Sequence, residues 1–256
     1  MKPRLWLLLL AAALLVSCDK GKPPGGGGAP PAVVTPAPSG TPPIVPPPPT
    51  HPTGQAPPAP ELKAPAGCEE AVVKDVHDGD TITLEDGRKV RYIGIDTPEL
   101  VSKTVKADEP FSHEARDRNK QLVLGRKVRL EIGDEKQDHY GRTLAYIWIA
   151  DASGKDLMVN EVLAREGLAT SYPFSTNKRH ADLFKAAQSA ARRAGVGLWK
   201  DPPKSDEKYY VAFNAERFHR PSCKEIKDHS ATNEARFATR DEALDSGRSP
   251  CRTCKP

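Results

Sequence analysis

Val90-Arg91-Tyr92-Ile93-Gly94-Ile95-Asp96-Thr97-Pro98-Glu99 is the stretch whose reading decides the architecture of this chain. Its first six residues alternate like a strand and are rich in β-branched and aromatic types. Strict alternation sends Arg91 and Asp96 to opposite faces. One site can use both only if the strand bends, and Gly94 permits such a bulge. Pro98 pushes Thr97 into extended backbone, which can turn its carbonyl towards a metal ion.

Outward from this stretch the same pattern continues. Val72–Val76 and Thr81–Leu84 are strand candidates separated by turn signals at His77-Asp78-Gly79-Asp80 and Glu85-Asp86-Gly87, so the opening reads as a three-strand meander. Phe111–Leu124 is helical and stops at Gly125, and Val128–Ile132 and Arg142–Ile149 are further strands. Two more helices are expected, Met158–Glu166 with Asp156 as N-cap and Lys178–Ala194 after Asn177, with Gly167 and Gly195 as C-caps. Five short antiparallel strands with interspersed helices suggest a small Greek-key barrel.

Phosphodiester hydrolysis needs neutralised equatorial oxygens, an oriented water and groups aimed at developing charge. Carboxylates can hold a hard divalent ion and arginine forks suit phosphate. Asp80, Asp96 and Glu99 supply the first, Arg91 and Arg142 the second. Taken singly, Asp78-Gly79-Asp80 is a plain hairpin turn and each arginine a solvated strand residue.

Order and spacing decide between these readings. Val76-His77-Asp78-Gly79-Asp80-Thr81, then Val90 to Glu99, then Asp138-His139-Tyr140-Gly141-Arg142-Thr143-Leu144-Ala145-Tyr146-Ile147 closely resemble the staphylococcal nuclease (thermonuclease) family. Val159-Asn160-Glu161, Gly167-Leu168-Ala169 and Gly197-Leu198-Trp199 extend the likeness. The resemblance implies a five-stranded OB-fold barrel with three helices, and calcium-dependent hydrolysis of DNA and RNA that leaves 3′-phosphate ends. By the same resemblance Asp80 and Asp96 are metal carboxylates, and Thr97 gives a metal-binding carbonyl. Glu99 positions or deprotonates the attacking water, and Arg91 and Arg142 bind phosphate and stabilise the transition state. Tyr140 and Tyr172 match positions that contact phosphate or flank the nucleotide. His139 departs from the pattern, standing where the family's type member has a phosphate-contacting lysine; a shorter, mostly neutral imidazole predicts weaker or pH-dependent substrate binding. The insertion Val101–Asp108 lengthens the loop beside Glu99.

Composition limits what else the chain can be. Of 26 prolines in 256 residues, 17 lie between Asp19 and Ala66 together with seven glycines, a segment unable to bury enough surface to offset chain entropy. The remaining length excludes a TIM barrel and most two-domain α/β enzymes. Net charge is +3 over residues 1–67, −1 over 68–201 and +2 over 202–256, so nucleic acid must be held locally rather than by bulk charge. Residues 1–17 read as an export signal: Lys2 and Arg4 precede the apolar run Leu5–Val16, which is short for a membrane span. Leu15-Val16-Ser17-Cys18 resembles a bacterial lipobox, implying lipidation of Cys18 and a membrane-anchored, extracytoplasmic cell-envelope protein. An ordinary secretory peptide is the alternative. Residues 18–66 then form a Pro/Gly/Ala-rich spacer able to reach roughly 100 Å in polyproline II form.

Residues 207–256 read as a separate small β/α unit after the 68–201 domain. Tyr209–Phe213 is a strand candidate and Thr239-Arg240-Asp241-Glu242 a capping box. His219, Cys223, Cys251 and Cys254 form two closely spaced ligand pairs, which fits tetrahedral zinc. Phe218–Cys223 and Ser249–Cys254 resemble the zinc-binding domain of the bacterial adaptive-response DNA alkylation-repair protein. There the first ligand is a methyl-accepting cysteine; here it is His219, so alkyl transfer is not implied. Cys68, Cys223, Cys251 and Cys254 could instead form two disulfides in an oxidising compartment. His77, His113, His180 and His229 read as surface histidines. The whole therefore reads as an α+β chain and a monomeric nuclease, with a non-catalytic nucleic-acid- or protein-binding barrel as the competing class. The complete set of Asp80, Asp96, Glu99, Arg91 and Arg142 favours the enzyme.

Overall fold

The computed structural model describes residues 58–102, 105–201, 207–213, 216–226 and 234–256. The export signal, Cys18, the spacer up to residue 57 and His229 lie outside the described residues. Among the described residues no helix is long and apolar enough to cross a membrane.

The meander forms as β1 (Glu69–Val76), β2 (Thr81–Leu84) and β3 (Lys89–Tyr92). Chain pairing resumes in β4 (Ile95–Asp96), so the expected single strand over Val90–Ile95 is broken at Ile93-Gly94. Helix α1 (Ser112–Val123) follows, then the long strands β5 (Lys127–Gln137) and β6 (Thr143–Ala150). The order β3-β2-β1-β5-β6 closes on itself through β3–β6 pairing, giving a five-stranded barrel. The closing pair is parallel, with Arg91 opposite Leu144, so the strands are not all antiparallel as expected. Alternate residues fill the interior: Ile82, Leu84, Val90, Tyr92, Leu130 and Leu144 are fully buried.

The expected N-caps are not used. Asp156 lies in a short strand, β7 (Asp156–Met158), where it binds Arg129 and accepts from the Ala64 amide, because the chain hairpins back on β6 before turning helical. Helix α2 (Val159–Arg165) starts at Met158. After β8 (Thr170–Ser171), helix α3 (Ala181–Ala194) starts at His180, while Asn177 clasps the Glu135 backbone instead. Gly195 does cap α3 in the left-handed region.

Two buried side chains sew the barrel to its helices. Asn160 donates to the Ile93 carbonyl at 2.9 Å and accepts from the Ile147 amide at 2.9 Å, fixing the broken strand against β6. Asn119 accepts from Tyr92 Oη at 2.9 Å and donates to the Asp78 carbonyl at 3.2 Å. His180 is not a surface residue: it is half-buried beside Tyr146, Trp148 and Phe184, and reaches Glu131 at 3.1 Å.

Glu131 links this corner to pH. Burial alone would raise its carboxyl, but bonds from His180, Arg179 and Trp148 outweigh that and hold it down to about 2. A depressed folded-state value stabilises above the ordinary carboxylate range and is lost as pH falls towards 2. Glu131→Gln should therefore lower stability at pH 7 by about 2–3 kcal/mol and flatten the acid limb of a thermal-melting profile between pH 4.5 and 2. Parallel profiles for the two proteins would contradict this assignment.

The C-terminal segment builds β9 (Tyr210–Ala212), β10 (Arg217–Phe218), β11 (Ala235–Phe237), α4 (Arg240–Asp245) and β12 (Ser249–Pro250). Thr239 caps α4 as expected, accepting from the Glu242 amide at 3.1 Å. The segment does not keep its own core: Tyr210, Phe218 and Leu244 pack with Ala191, Val196 and Trp199 of α3 and the turn after it. Arg192 of α3 also pairs with Asp241 and Asp245. Barrel and C-terminal segment thus lie within one compact unit.

Candidate active site

The break at Gly94 builds the site. Gly94 takes φ 78°, and a Cβ there would collide with the Phe184 ring, so the turn needs glycine. The turn brings Arg91 and Asp96 to the same side, as one site requires. Arg91 Nη1 lies 3.0 Å from Asp80 Oδ2 and Nη2 lies 3.1 Å from Asp96 Oδ1. The same guanidinium donates to the carbonyls of Tyr92 and Ile95. All three side chains are buried, which strengthens each ion pair relative to a surface one.

The same Asp80 oxygen also accepts from the Thr97 amide at 2.8 Å. Its turn packs so closely that a Cβ at Gly79 would meet Thr97 Cγ2 at 2.6 Å. Glu99 is clamped at the neck of the insertion: its amide donates to Glu109 Oε2 at 3.0 Å, and the Glu109 amide donates to its carbonyl at 2.9 Å.

Arg142 stands at the head of β6, one residue before the Val90–Thr143 pair. Asp138 holds it through Nε at 2.7 Å, and its guanidinium lies 5.4 Å from the centre of the Tyr140 ring. Tyr140 is exposed and lies tilted against the His139 ring, with centroids 3.8 Å apart. Tyr172 is tied by its amide to the Gly94 carbonyl, but its ring is covered by Arg217 at 4.3 Å and its hydroxyl meets Glu216.

Several residues of the site were not anticipated. Asp78 is more than a turn residue: burial and the neighbouring Asp80 push its carboxyl up to about 7. Arg217 and Arg252 come from the C-terminal segment. Arg217 Nη2 bonds Asp96 Oδ2 at 2.9 Å. Arg252 Nη2 bonds Asp96 Oδ1 at 2.5 Å and the Thr97 carbonyl at 3.1 Å, and its Nη1 bonds Glu99. Burial would raise the Asp96 carboxyl, but Arg252, Arg217 and Arg91 together hold it below its ordinary value.

Comparison with known proteins supplies the lineage. A family model described as staphylococcal nuclease homologue matches residues 89–201. The thermonuclease of Staphylococcus intermedius is 38% identical over 135 residues, covering 52% of this chain and 77% of that protein. The chain belongs to the staphylococcal nuclease family. The thermonuclease of Staphylococcus hyicus is 40% identical over 129 residues, 49% of this chain and 73% of that protein. The endonuclease YncB of Bacillus subtilis is 37% identical over 127 residues, 48% of this chain and 57% of that protein. This family member is a hydrolytic nuclease on an OB-fold barrel.

A second cluster lies in the C-terminal segment. Ligand atoms of His219, Cys223, Cys251 and Cys254 all lie within 4.8 Å of one another, with Cys223 and Cys251 buried. The cysteines are free, and the Cys223 and Cys251 sulfurs are 4.0 Å apart, about twice a disulfide length. Burial would raise Cys251, but bonds from His219 and the Cys254 and Thr253 amides bring it down to about 6. Burial pushes Cys254 up to about 12. These four side chains form a candidate metal cluster, and His219 Nδ1 is buried with no hydrogen-bond partner among the described residues.

Proposed function

We propose that this nuclease cleaves DNA and RNA with a calcium ion held by Asp80, Asp96 and the Thr97 carbonyl, leaving 3′-phosphate ends. The observation that carries this reading is convergence. One guanidinium, that of Arg252, is bonded at once to Asp96, the Thr97 carbonyl and Glu99, so these oxygens address a single cation. An oxygen-only donor set on a turn and a broken strand suits calcium, which tolerates irregular geometry, better than magnesium, which demands a tight octahedron.

When bound, the ion neutralises charge on the phosphate oxygens. Glu99 takes the proton of the attacking water, whose oxygen forms the new bond to phosphorus. The bond from phosphorus to the 5′-oxygen breaks, that oxygen takes a proton from solvent, and the phosphate stays on the 3′ side. Arg91, pre-aligned by the Tyr92 and Ile95 carbonyls, and Arg142, oriented by Asp138, face the developing negative charge. Tyr140 and His139 offer an exposed aromatic pair for a base or phosphate. Tyr172, beneath Arg217, flanks the nucleotide only once that cover shifts.

Digestion of single- and double-stranded DNA and RNA with calcium should yield fragments that a polymerase extends only after phosphatase treatment. Fragments extended without phosphatase would contradict the proposed bond cleavage.

The His219, Cys223, Cys251 and Cys254 cluster holds a structural zinc ion in this reading, supported by its four-ligand geometry. One equivalent of zinc in the purified full chain, with Cys251 and Cys254 unreactive to thiol reagents until chelation, is the expected result; metal-free protein with oxidised cysteines would contradict it. Residues 1–17 direct export, lipidated Cys18 anchors the chain and residues 18–66 tether the 68–201 nuclease domain and the 207–256 segment in the cell envelope. The lipobox and proline-rich spacer support this arrangement. Detergent partitioning lost in Cys18→Ser is the expected outcome, and partitioning kept by the mutant would overturn it.

A further inference from the structure

We propose that Arg252 is a built-in competitor for the calcium site of the barrel, so that the C-terminal segment sets the metal affinity of the nuclease centre. This rests on the calcium reading above and goes beyond it.

The argument starts from charge. Asp78, Asp80, Asp96 and Glu99 are crowded onto one turn and one broken strand, with Arg91 as the cation supplied from within the barrel. The C-terminal segment adds Arg217 and Arg252. Arg252 does more than approach this group. Its Nε and Nη2 grip both oxygens of Asp96, at 3.2 and 2.5 Å, in a bidentate fork. Its Nη2 also takes the Thr97 carbonyl, and its Nη1 takes Glu99. A guanidinium on Asp96 and the Thr97 carbonyl and a calcium ion on the same oxygens exclude each other. Calcium can enter only when Arg252 leaves.

The surroundings allow that exchange. Arg252 borders a cavity of about 330 Å³ whose walls include Pro98, Leu198, Trp199 and the acidic residues Glu109 and Asp201. A guanidinium withdrawn from Asp96 thus has space to turn into without unfolding the segment. The backbone, by contrast, is pinned. Cys251 and Cys254 flank Arg252 within the metal-type cluster, and Arg217 lies two residues before His219. The Ser249 hydroxyl fastens the same strand to Thr170 and the Ser171 carbonyl. The segment therefore delivers two arginines to the site from a fixed platform, leaving side-chain rotation as the step calcium must drive.

The test is calcium binding by calorimetry on the full chain, for wild type and Arg252→Ala, with circular dichroism to confirm fold. Removal of the competitor should tighten calcium binding by about tenfold or more, the scale of a close charge pair. Equal or weaker affinity in Arg252→Ala overturns the proposal while leaving the calcium site standing. Absence of calcium binding by both proteins overturns the calcium reading and the proposal with it. A measurement on unmodified protein guards against a misfolded variant. In the wild type, the Arg252 Nε–H resonance should shift as calcium saturates the site, because the guanidinium loses its Asp96 anchor; a resonance unchanged by saturating calcium overturns the proposal.

Discussion

Arg91→Lys and Glu99→Gln should each cut turnover by ~10²–10³ while leaving the barrel folded. Arg91 acts through shape as well as charge. Its fork spans Asp80 and Asp96 and is pre-set by two backbone carbonyls. A lysine ammonium keeps the charge but cannot hold both carboxylates and present a planar face to phosphate. Glu99→Gln keeps volume and the backbone clamp to Glu109, and removes only the capacity to accept a proton. Arg142→Lys belongs to the same set, since it loses the Nε bond to Asp138 that aims the side chain. The readout is kcat under saturating calcium and substrate, with circular dichroism and thermal melting as fold controls. Wild-type kcat in all three folded variants would show that the chemistry lies elsewhere.

Gly94→Ala should damage both stability and activity. A non-glycine residue in the left-handed region costs about 1–2 kcal/mol, and forcing a methyl into the packed Phe184 ring adds about 1–3 kcal/mol. The functional consequence follows from the same bend. If the backbone relaxes to avoid Phe184, Arg91 and Asp96 drift from their shared face and the ion pairs lengthen. Thermal melting should fall, and turnover should fall further than the fraction unfolded explains. The double variant Gly94→Ala/Phe184→Ala, which removes the collision, separates the terms: it should restore part of the turnover without restoring full stability. Wild-type melting and turnover in Gly94→Ala would refute the role of the bend.

That bend shows how much of the molecule could be read from sequence. Arg91 and Asp96 on opposite faces, with glycine between them, demanded a broken strand, and the chain breaks there. The meander, the presence of strands β5 and β6 and the α3 C-cap were equally local signals, although β5 runs on to Gln137, past the expected end at Ile132. Asp156 and Asn177 were not, because capping depends on whether the preceding residues are already paired elsewhere; β7 claimed one and the Glu135 backbone the other. His180 looked like a surface residue because its aromatic surroundings come from β6 and from the next turn of its own helix.

The active site divides in the same way. Asp80, Asp96, Thr97, Glu99 and Arg91 sit within twenty residues of one another, and their spacing betrayed them. Asn160 was visible only as part of a motif, without its role in pinning the Ile93 carbonyl. Arg217 and Arg252 join Asp96 across 121 and 156 residues of chain. No periodicity carries that information, since an arginine beside a cysteine reads equally well as a solvated turn residue. The shared core of Ala191, Val196, Trp199, Phe218 and Leu244, with the Arg192 and Ser249 contacts, holds the segment against α3 and β8.

The most direct test of the central claim is the rate of single-stranded DNA hydrolysis as free calcium is raised from full chelation, in wild type and Asp96→Asn. Asp96 is the residue on which Arg91, Arg217, Arg252 and the proposed ion all converge. The account predicts no hydrolysis under chelation, a saturable rise with calcium in the wild type, and a response in Asp96→Asn that is abolished or displaced to far higher calcium. Wild-type hydrolysis that persists under chelation, or an Asp96→Asn curve that overlays the wild type, would contradict it.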